Sequence, residues 1–436
     1  MKILVLNGSP KGEYSITLQT CLFIMRHFRD HSFSVIHVGA QIKSLEKDFS
    51  KAKKMLEEAD LILFSYPVYT FLVPAQLHRF IELMKEMQVN VKGKYAAQIS
   101  SSKHFYDVTA HQFIMDNCKD LGLEYLEGLS ADMDDLKSRK GQADALHFFQ
   151  RILFDIAAER GQVPGPFANL KDVVIVADLA ADDEKLKRMI DRFMENCTEE
   201  AKLVNIHDFP FKGGCISCFN CASTGTCIYK DGFQDLLRNE IQAGKAIVLA
   251  FTIKDHSMGY QFKLYDDRQF CNGHRTVTMG MPFGYLVSGK LSTERNLQLL
   301  MEARAEVGGN YLAGIASDEF DLDSSVDQMA ASLSWAIENH YTKPANFYGV
   351  GGMKIFRDLI YEMQGLMRED YKFYKSHGQL DFPQKHKGRI AAMYLVGSLM
   401  KNQKLKAKMG NKMNEGMIAP YKKVLKKKDR RNADKR

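Results

Sequence analysis

The sequence predicts an α/β protein in which two doubly wound parallel sheets follow one another, with a helical extension at the C-terminus. Two observations predict this fold. Uninterrupted apolar runs alternate with helical patterns, which is typical of parallel strands covered by helices on both faces. The segment 124–136, EYLEGLSADMDDL, also matches 310–322, NYLAGIASDEFDL, at an offset of 186 residues, which indicates an internal duplication.

The first half begins with a buried strand at 2–7, KILVLN, followed by a glycine turn and a helix at 15–28. Four further apolar runs predict the remaining strands of this half, at 33–38, 60–66, 95–100 and 123–129. Helical patterns separate these runs. Since parallel strands need such crossovers, the first half is expected to form one complete sheet.

A Pro/Gly segment at 161–167 is the candidate linker, and the strand 172–179 opens the second half. After about residue 338 the chain is rich in Met, Tyr, Phe and Lys and reads as helices. Its apolar run at 390–400 is too short to span a membrane, so we expect a packed helix or an interface such as a homodimer contact. The predicted parts are two domains and an extension with a basic tail, at 1–160, 170–337 and 338–436.

Composition limits the class of protein. Hydrophobic residues at 45% and charged residues at 26%, without a long apolar run, are typical of a soluble cytoplasmic protein with no transmembrane segment. The net charge of +7 arises from 421–436, which holds nine Lys or Arg against two Asp. The rest of the chain is neutral, which argues against nucleic-acid binding.

The loop after the first strand, NGSPKGEYSIT, lies where backbone N–H groups and the positive end of a helix dipole favour a phosphate. Ser9, Ser15 and Thr17 supply hydroxyl groups around such a phosphate, and Pro10 stiffens the loop. The motifs GxGxxG and GxxxxGK[ST] are absent from the sequence, which argues against a Rossmann dinucleotide site and a Walker triphosphate site. The alternative is a simple turn in which Ser15 caps the helix.

A second loop, SYPVYTFLVPAQL, follows the third strand at the carboxyl edge of the sheet, where ligands bind in open α/β folds. Tyr66, Pro67, Val68 and Tyr69 offer flat, rigid contacts for a planar ring, although ordinary loop packing would also explain the aromatic residues. After the fourth strand, Ser100 and Ser101 are expected to hydrogen-bond the polar edge of that ring.

Four of the eight cysteines fall between Cys215 and Cys227 with the spacing CxxCxxCx5C. Three thiolates at intervals of three, on a loop with Gly213 and Gly214, can surround a compact cluster, and a fourth arrives after a turn. A structural zinc usually takes two CxxC pairs farther apart. Cys215, Cys218, Cys221 and Cys227 therefore predict a [4Fe–4S] cluster, with zinc or a redox-active or vestigial thiol group as alternatives.

NGSPKGEYSIT together with YPVY and VPAQLHRFIE resembles the NADPH-dependent FMN reductase family, over roughly residues 1–135. The resemblance implies a flavodoxin-like fold, with FMN phosphate at Ser9, Ser15 and Thr17 and the isoalloxazine against Pro67, Val68 and Tyr69. Ile16 departs from the family, in which many relatives have a polar residue. The cysteine spacing and its sequel CIYKDGFQDLL are similar to the iron-sulfur flavoproteins, a branch of that family.

The second half has the cysteines but lacks the phosphate loop. Its corresponding segment, 177–187, contains three aspartates, which would repel a phosphate, and FTIK replaces YPVY. We therefore expect no FMN in the second half, and the cluster is expected to serve the FMN of the first half or of a second chain. Of the other cysteines, Cys21, Cys118 and Cys197 are expected in the core. Cys271, beside His274, is either a core residue or a reactive thiol or extra ligand.

These features predict an FMN-dependent oxidoreductase. Electrons from NAD(P)H or reduced ferredoxin reach FMN and are exchanged with the [4Fe–4S] cluster and an unidentified acceptor, which is a small molecule or a redox protein. The chemistry centres on the flavin, and no protein residue is assigned as an acid or base. Two alternatives stay open: a non-catalytic electron-transfer or scaffold flavoprotein, and a plain FMN reductase with a structural zinc.

Overall fold

The computed structural model describes residues 1–400, 412 and 414–426. The contacts divide the chain into two compact units. The first unit combines Met1–Ile156 with Phe382–Arg436, and the second unit is Ala157–Asp381. The C-terminal region predicted as one extension is thus distributed between both units.

A five-stranded parallel sheet forms the centre of the first unit, in the order β2-β1-β3-β4-β5. This is the strand order of flavodoxin-like folds. The strands are β1 Lys2–Asn7, β2 Ser32–Ile36, β3 Leu61–Pro67, β4 Tyr95–Ser102 and β5 Glu124–Asp132. The helices are α1 Ile16–His27, α2 Val38–Leu45, α3 Ser50–Glu58, α4 Ala75–Glu86, α5 Asp107–Asp120 and α6 Arg139–Glu159.

Alternate side chains of the first sheet enter two separate cores, one on each face. Leu4 and Phe64 belong to one core, and Val5 and Leu63 belong to the other. Burial on both faces explains why these strands are continuous apolar runs in the sequence. The second strand ends earlier than predicted, because the chain leaves the sheet at His37 and Val38 begins α2.

The second unit repeats the same topology, with the strand order β10-β9-β8-β6-β7. Its strands are β6 Val173–Ala177, β7 Lys202–Asn205, β8 Ala246–Thr252, β9 Pro282–Ser288 and β10 Tyr311–Ser317. Its helices are α7 Glu184–Glu195, α8 Asn220–Thr224, α9 Phe233–Leu236, α10 Gly259–Arg268, α11 Arg295–Gly308, α12 Leu322–Glu338, α13 Phe347–Glu362 and α14 Arg368–Ser376. The repeated sequence segments form β5 and β10, the fifth strand of each sheet. The predicted fold, two tandem flavodoxin-like sheets with a helical C-terminal region, is confirmed.

Two helical segments of the C-terminal region belong to the first unit. Helix α15, Lys387–Met400, exposes Ile390, Tyr394 and Leu395. Residues 414–426 are helical and bury Ile418, which belongs to one core of the first sheet. Most of the predicted basic tail, 427–436, lies outside the described residues. No helix in the described ranges has the length and apolar character needed to cross a membrane.

Candidate functional site

The loop between β1 and α1 is held in place by its own polar groups. Asn7 Nδ2 donates to the carbonyl of Gly12 over 2.9 Å, and Ser9 Oγ accepts from the backbone of Lys11 over 3.3 Å. Ser15 caps α1, since its Oγ accepts from the Leu18 backbone over 3.3 Å. The loop is also closely packed, because a Cβ on Gly39 of α2 would lie 2.3 Å from the backbone of Ser9. The loop is therefore preorganised at the N-terminus of a twelve-residue helix.

A cavity of about 390 Å³ opens over the carboxyl edge of the first sheet. It extends from the β1 loop, across the segment after β3, to the end of β4. Its lining residues are Ser9, Lys11, Tyr14, Ser15, Ile16, Thr17, Pro67, Val68, Tyr69, Thr70, Phe71, Ser101, Ser102, Lys103, Phe105, Met133 and Met417. This is the edge at which open α/β sheets bind their ligands.

Seven of the ten residues predicted for the flavin line this cavity: Ser9, Ser15, Thr17, Pro67, Val68, Tyr69 and Ser101. Thr17 Oγ1 and Ser101 Oγ lie 2.5 Å apart, so the phosphate loop and β4 meet here. The buried hydroxyls and the apolar segment after β3 form the polar and flat surfaces that a flavin phosphate and ring require.

The other three predicted residues, Pro10, Tyr66 and Ser100, are not lining residues. Tyr66 is fully buried, donates its Oη proton to Gln98 over 2.5 Å, and has a pKa raised well above normal by burial. Ser100 contacts His111 Nε2 over 2.8 Å. Tyr66 and Ser100 are register partners, and strand side chains alternate between faces, so both enter the core while Pro67 and Ser101 reach the cavity.

An aromatic rim at the cavity, formed by Tyr69, Phe71 and Phe105, extends beyond the predicted residues. The Phe71 and Phe105 ring centres lie 5.3 Å apart, and all three side chains are exposed. Phe71 has a left-handed backbone, with φ of 70°. Thr109 Oγ1 donates to the Phe71 carbonyl over 2.5 Å, which ties the segment after β3 to α5. The sequence signal for the rim was aromatic residues after two neighbouring strands.

In the second unit, the four clustered cysteines line one cavity of about 150 Å³. Cys215 and Cys218 are exposed, whereas Cys221 and Cys227 are half-buried. Left-handed backbone at Ser217, with φ of 52°, turns the chain between the cysteines. Burial raises the pKa of the Cys221 thiol, and a hydrogen bond with the backbone of Gly273 opposes that rise.

A buried ion pair closes the base of the loop that carries these cysteines. Arg268 donates from Nη1 and Nη2 to the two carboxylate oxygens of Asp231, over 2.7 and 2.9 Å. The Arg268 guanidinium also lies 4.5 Å from the ring centre of Tyr229 and donates to the carbonyl of Gly213 over 3.0 Å. Asp231 in turn accepts from the Lys212 backbone over 3.1 Å. Both ends of the loop are thus fixed to Arg268 and Asp231.

Cys271 also lines the cysteine cavity, although it lies far from the cluster in the sequence. Burial raises the pKa of its thiol to about 11, so it is protonated at neutral pH. His274, which lines the same cavity, contacts the buried carboxylate of Asp370 on α14 through Nδ1, over 3.2 Å. The predicted core positions of Cys21 and Cys118 agree with their complete burial, whereas Cys197 is half-buried.

No three His, Cys, Asp or Glu side chains among the described residues lie close enough together to hold one metal ion. The cysteine cavity nevertheless has the donor set for an iron–sulfur cluster. Four cysteines line one space that is otherwise lined mainly by apolar and aromatic groups such as Ile216 and Phe219. Fe–S clusters are held by such sets of four cysteine thiolates, and the surrounding shell controls solvent access.

At the equivalent sheet edge of the second unit, two aspartates make internal polar contacts. Asp178, buried after β6, accepts from His207 Nδ1 over 2.6 Å and from Lys254 Nζ over 3.2 Å. Asp183 caps α7 and accepts from Thr252 Oγ1 over 2.5 Å. Asp183 caps α7 as Ser15 caps α1. Asp178 follows β6 as Gly8 follows β1, and both donate the backbone N–H to the neighbouring strand.

The comparisons with known proteins each cover part of the chain. Residues 1–115 match the family of NADPH-dependent FMN reductases. The resemblance predicted from the sequence is thereby confirmed, and the match supports an FMN-dependent oxidoreductase. An iron-sulfur flavoprotein from Archaeoglobus fulgidus is 25% identical over 175 residues, which are 38% of this chain and 78% of the relative.

Solved structures that are similar to part of this chain were also found. One is an FMN-dependent NADH-azoreductase from Bacillus anthracis in complex with FMN, 11% identical, with a TM-score of 0.29, covering 35% of this chain and 98% of the other. Another is an NADPH-quinone reductase from P. pentosaceus, 13% identical, with a TM-score of 0.29, covering 35% of this chain and 97% of the other.

Proposed function

We propose that the chain is an FMN- and [4Fe–4S]-containing oxidoreductase, in which electrons from NAD(P)H or a reduced ferredoxin are exchanged between flavin, cluster and an acceptor. The observation that carries the proposal is the presence of two complementary cavities in one chain. One has a phosphate loop and a flat apolar segment, and the other is lined by four clustered cysteines.

In the first unit, Ser9, Ser15 and Thr17 would bind the phosphate of FMN, and Pro67, Val68 and Tyr69 would contact its ring. Lys11 lies on the same cavity and adds a positive charge beside the loop. The preorganised backbone avoids an ordering cost on binding, which favours affinity. Tyr66 and Ser100 would support this site from the core face of the sheet without contacting the flavin.

In the second unit, Cys215, Cys218, Cys221 and Cys227 would bind the cluster. The reduction potential of an Fe–S cluster depends on its solvent exposure and on hydrogen bonds to its sulfurs. The hydrogen bond between the Gly273 backbone and Cys221 would therefore influence the potential of a bound cluster. Bound FMN would accept hydride and release electrons singly, and a bound cluster would carry one electron at a time. The protein's part is to bind, orient and insulate both groups. The contacts of Asp178 and Asp183 support an FMN site in the first unit alone.

Anaerobic reduction of the holoenzyme by NAD(P)H tests the proposal. We expect loss of the oxidised flavin absorbance, followed by the electron paramagnetic resonance signal of a reduced cluster. A Cys221→Ser variant should keep the flavin step and lose the cluster signal, whereas a Cys197→Ser variant should keep both. If neither NAD(P)H nor reduced ferredoxin reduces the flavin, the result would favour a non-catalytic scaffold flavoprotein over an enzyme. If the flavin of the wild type is reduced but no cluster signal is seen, the result would favour a plain FMN reductase.

A further inference from the structure

The C-terminal segment 414–426 contributes a wall to the cavity of the first unit. Met417 lines that cavity, and Lys11 Nζ, from the loop after β1, lies 3.7 Å from its sulfur. The sulfur therefore lies at the end of the cavity that the phosphate loop forms. Met417 lies some 300 residues beyond the segment 1–115 that matches the reductase family, so this wall is not part of the matched segment.

The segment is fixed to the first unit by one apolar face. Ile418, Tyr421 and Leu425 are buried in the same core as α1, at the spacing of successive helical turns. Lys422 and Lys423, between them, are exposed. The apolar face of the helix thus packs on the first unit, and Met417 lies at the end of the helix that is next to the cavity.

Two polar contacts fix the direction of the segment. Tyr421 Oη donates to the carbonyl of Met133 over 2.5 Å, and Met133 itself lines the cavity. Arg26 Nη1, near the end of α1, donates to the carbonyl of Leu425 over 2.7 Å. The segment therefore runs alongside α1, from the cavity towards the end of that helix.

We propose that residues 414–426 are a strap that retains FMN, with Met417 contacting the bound cofactor at its phosphate end. This inference rests on the proposed function, because the ligand is the FMN assigned there. A methionine side chain adds apolar contact area and adapts to irregular surfaces, so its removal should mainly speed release of the cofactor. Tyr421 is a positioning residue, which acts through Met133 and the placement of the helix.

The test measures FMN binding and release, by flavin fluorescence, for the full-length protein. Met417→Ala and Tyr421→Phe should each raise the FMN dissociation rate and Kd by about five- to tenfold, a size expected for the loss of one apolar contact or one hydrogen bond. Met417→Leu and the matched surface variant Lys422→Ala should bind FMN like the wild type. Both test substitutions are mild, since Met417 is 39% exposed and Tyr421→Phe keeps the ring, so unchanged thermal melting will show that they fold.

Two results would overturn the strap. If folded Met417→Ala and Tyr421→Phe release FMN at the wild-type rate, the segment does not retain the cofactor, while the proposed function stands. If the wild type itself binds no FMN in equilibrium dialysis, the proposed function and the strap fail together.

Discussion

Arg268 and Asp231 form a bidentate ion pair, with N–O distances of 2.7 and 2.9 Å, beneath the cysteine cavity of the second unit. Both side chains are only 1% exposed. Breaking a buried pair by removing one partner leaves an uncompensated charge and costs about 3–5 kcal/mol. Because the pair also holds Gly213 and Lys212, the loop that carries the cysteines depends on it.

Arg268→Met should therefore destabilise the second unit and lower the iron content of the purified protein. Arg268→Lys should be intermediate, since an ammonium cannot make the bidentate contact. Arg188→Met, in an exposed ion pair with Asp323, is the matched control and should change stability by less than about 1 kcal/mol. Urea denaturation followed by iron analysis checks this. A stable Arg268→Met protein with full iron content would contradict the role given to the pair.

The same pair predicts a pH dependence. Arg268 lowers the pKa of the Asp231 carboxyl to about 2, below the value of about 3.9 for an unfolded aspartate. The folded state therefore binds fewer protons than the unfolded state between these values, so the stabilisation is complete above about pH 4 and is lost as the pH falls towards 2. Asp231→Asn should be less stable than the wild type at neutral pH, and the difference should narrow below pH 4. A difference in urea midpoint that stays constant between pH 7 and pH 3 would refute this assignment.

The five cysteines of the second cavity allow a matched test of ligand identity. Cys221→Ser should lose most of the iron, because a four-cysteine cluster requires each thiolate. Cys271→Ser should keep it, since Cys271 lies outside the CxxCxxCx5C motif and packs in a core of the second sheet. Iron and sulfide analysis of both variants, purified anaerobically, checks this. Loss of iron in Cys271→Ser with retention in Cys221→Ser would reverse the assignment.

Lys11 provides a test of the phosphate end of the flavin cavity. Lys11→Ala should weaken FMN binding by about tenfold at low salt, with a smaller effect at high salt, because the interaction is between exposed charges. Riboflavin has no phosphate, and its affinity should be the same for the variant and the wild type. Fluorescence titration with both ligands measures this. An equal loss for riboflavin would show that Lys11 acts on the shape of the loop instead.

The aromatic rim predicts how the acceptor is bound. Phe105→Ala should raise the KM for a planar quinone by about three- to tenfold, since an aromatic contact is worth about 1 kcal/mol. The rate of flavin reduction by NAD(P)H should not change. Met87→Ala is the control, because Met87 is also an exposed apolar residue but follows the C-terminal end of α4. Steady-state kinetics with a quinone series measures this. An unchanged KM would exclude the rim from acceptor binding.

Much of the fold was predictable because buried parallel strands leave a strong pattern. Strand β1 matches its predicted range, and the repeat at 124–136 and 310–322 marks the fifth strand of both sheets. It was harder to predict on which face of the sheet each side chain lies. The position of Tyr66 and Ser100 at the ends of apolar runs predicts cavity residues, but the register pairs them on the core face. A one-residue difference in a strand reverses the face, so loop position alone does not identify cavity residues.

Two other site residues reach their cavities through long-range contacts. Cys271 reaches the cysteine cavity and Met417 reaches the flavin cavity from parts of the chain distant in sequence. Neither belongs to a local motif, and no pattern around them encodes their partner. The amphipathic spacing of Ile418, Tyr421 and Leu425 was a signal for a packed helix, but not for the surface on which it packs.

The most direct test of the central claim is the cofactor content of the protein isolated without oxygen. We predict about four iron and four sulfide per chain, together with about one FMN, and a broad brown absorbance beneath the flavin bands. Stoichiometric zinc without iron, in a protein that still binds FMN, would contradict the iron–sulfur assignment of Cys215, Cys218, Cys221 and Cys227.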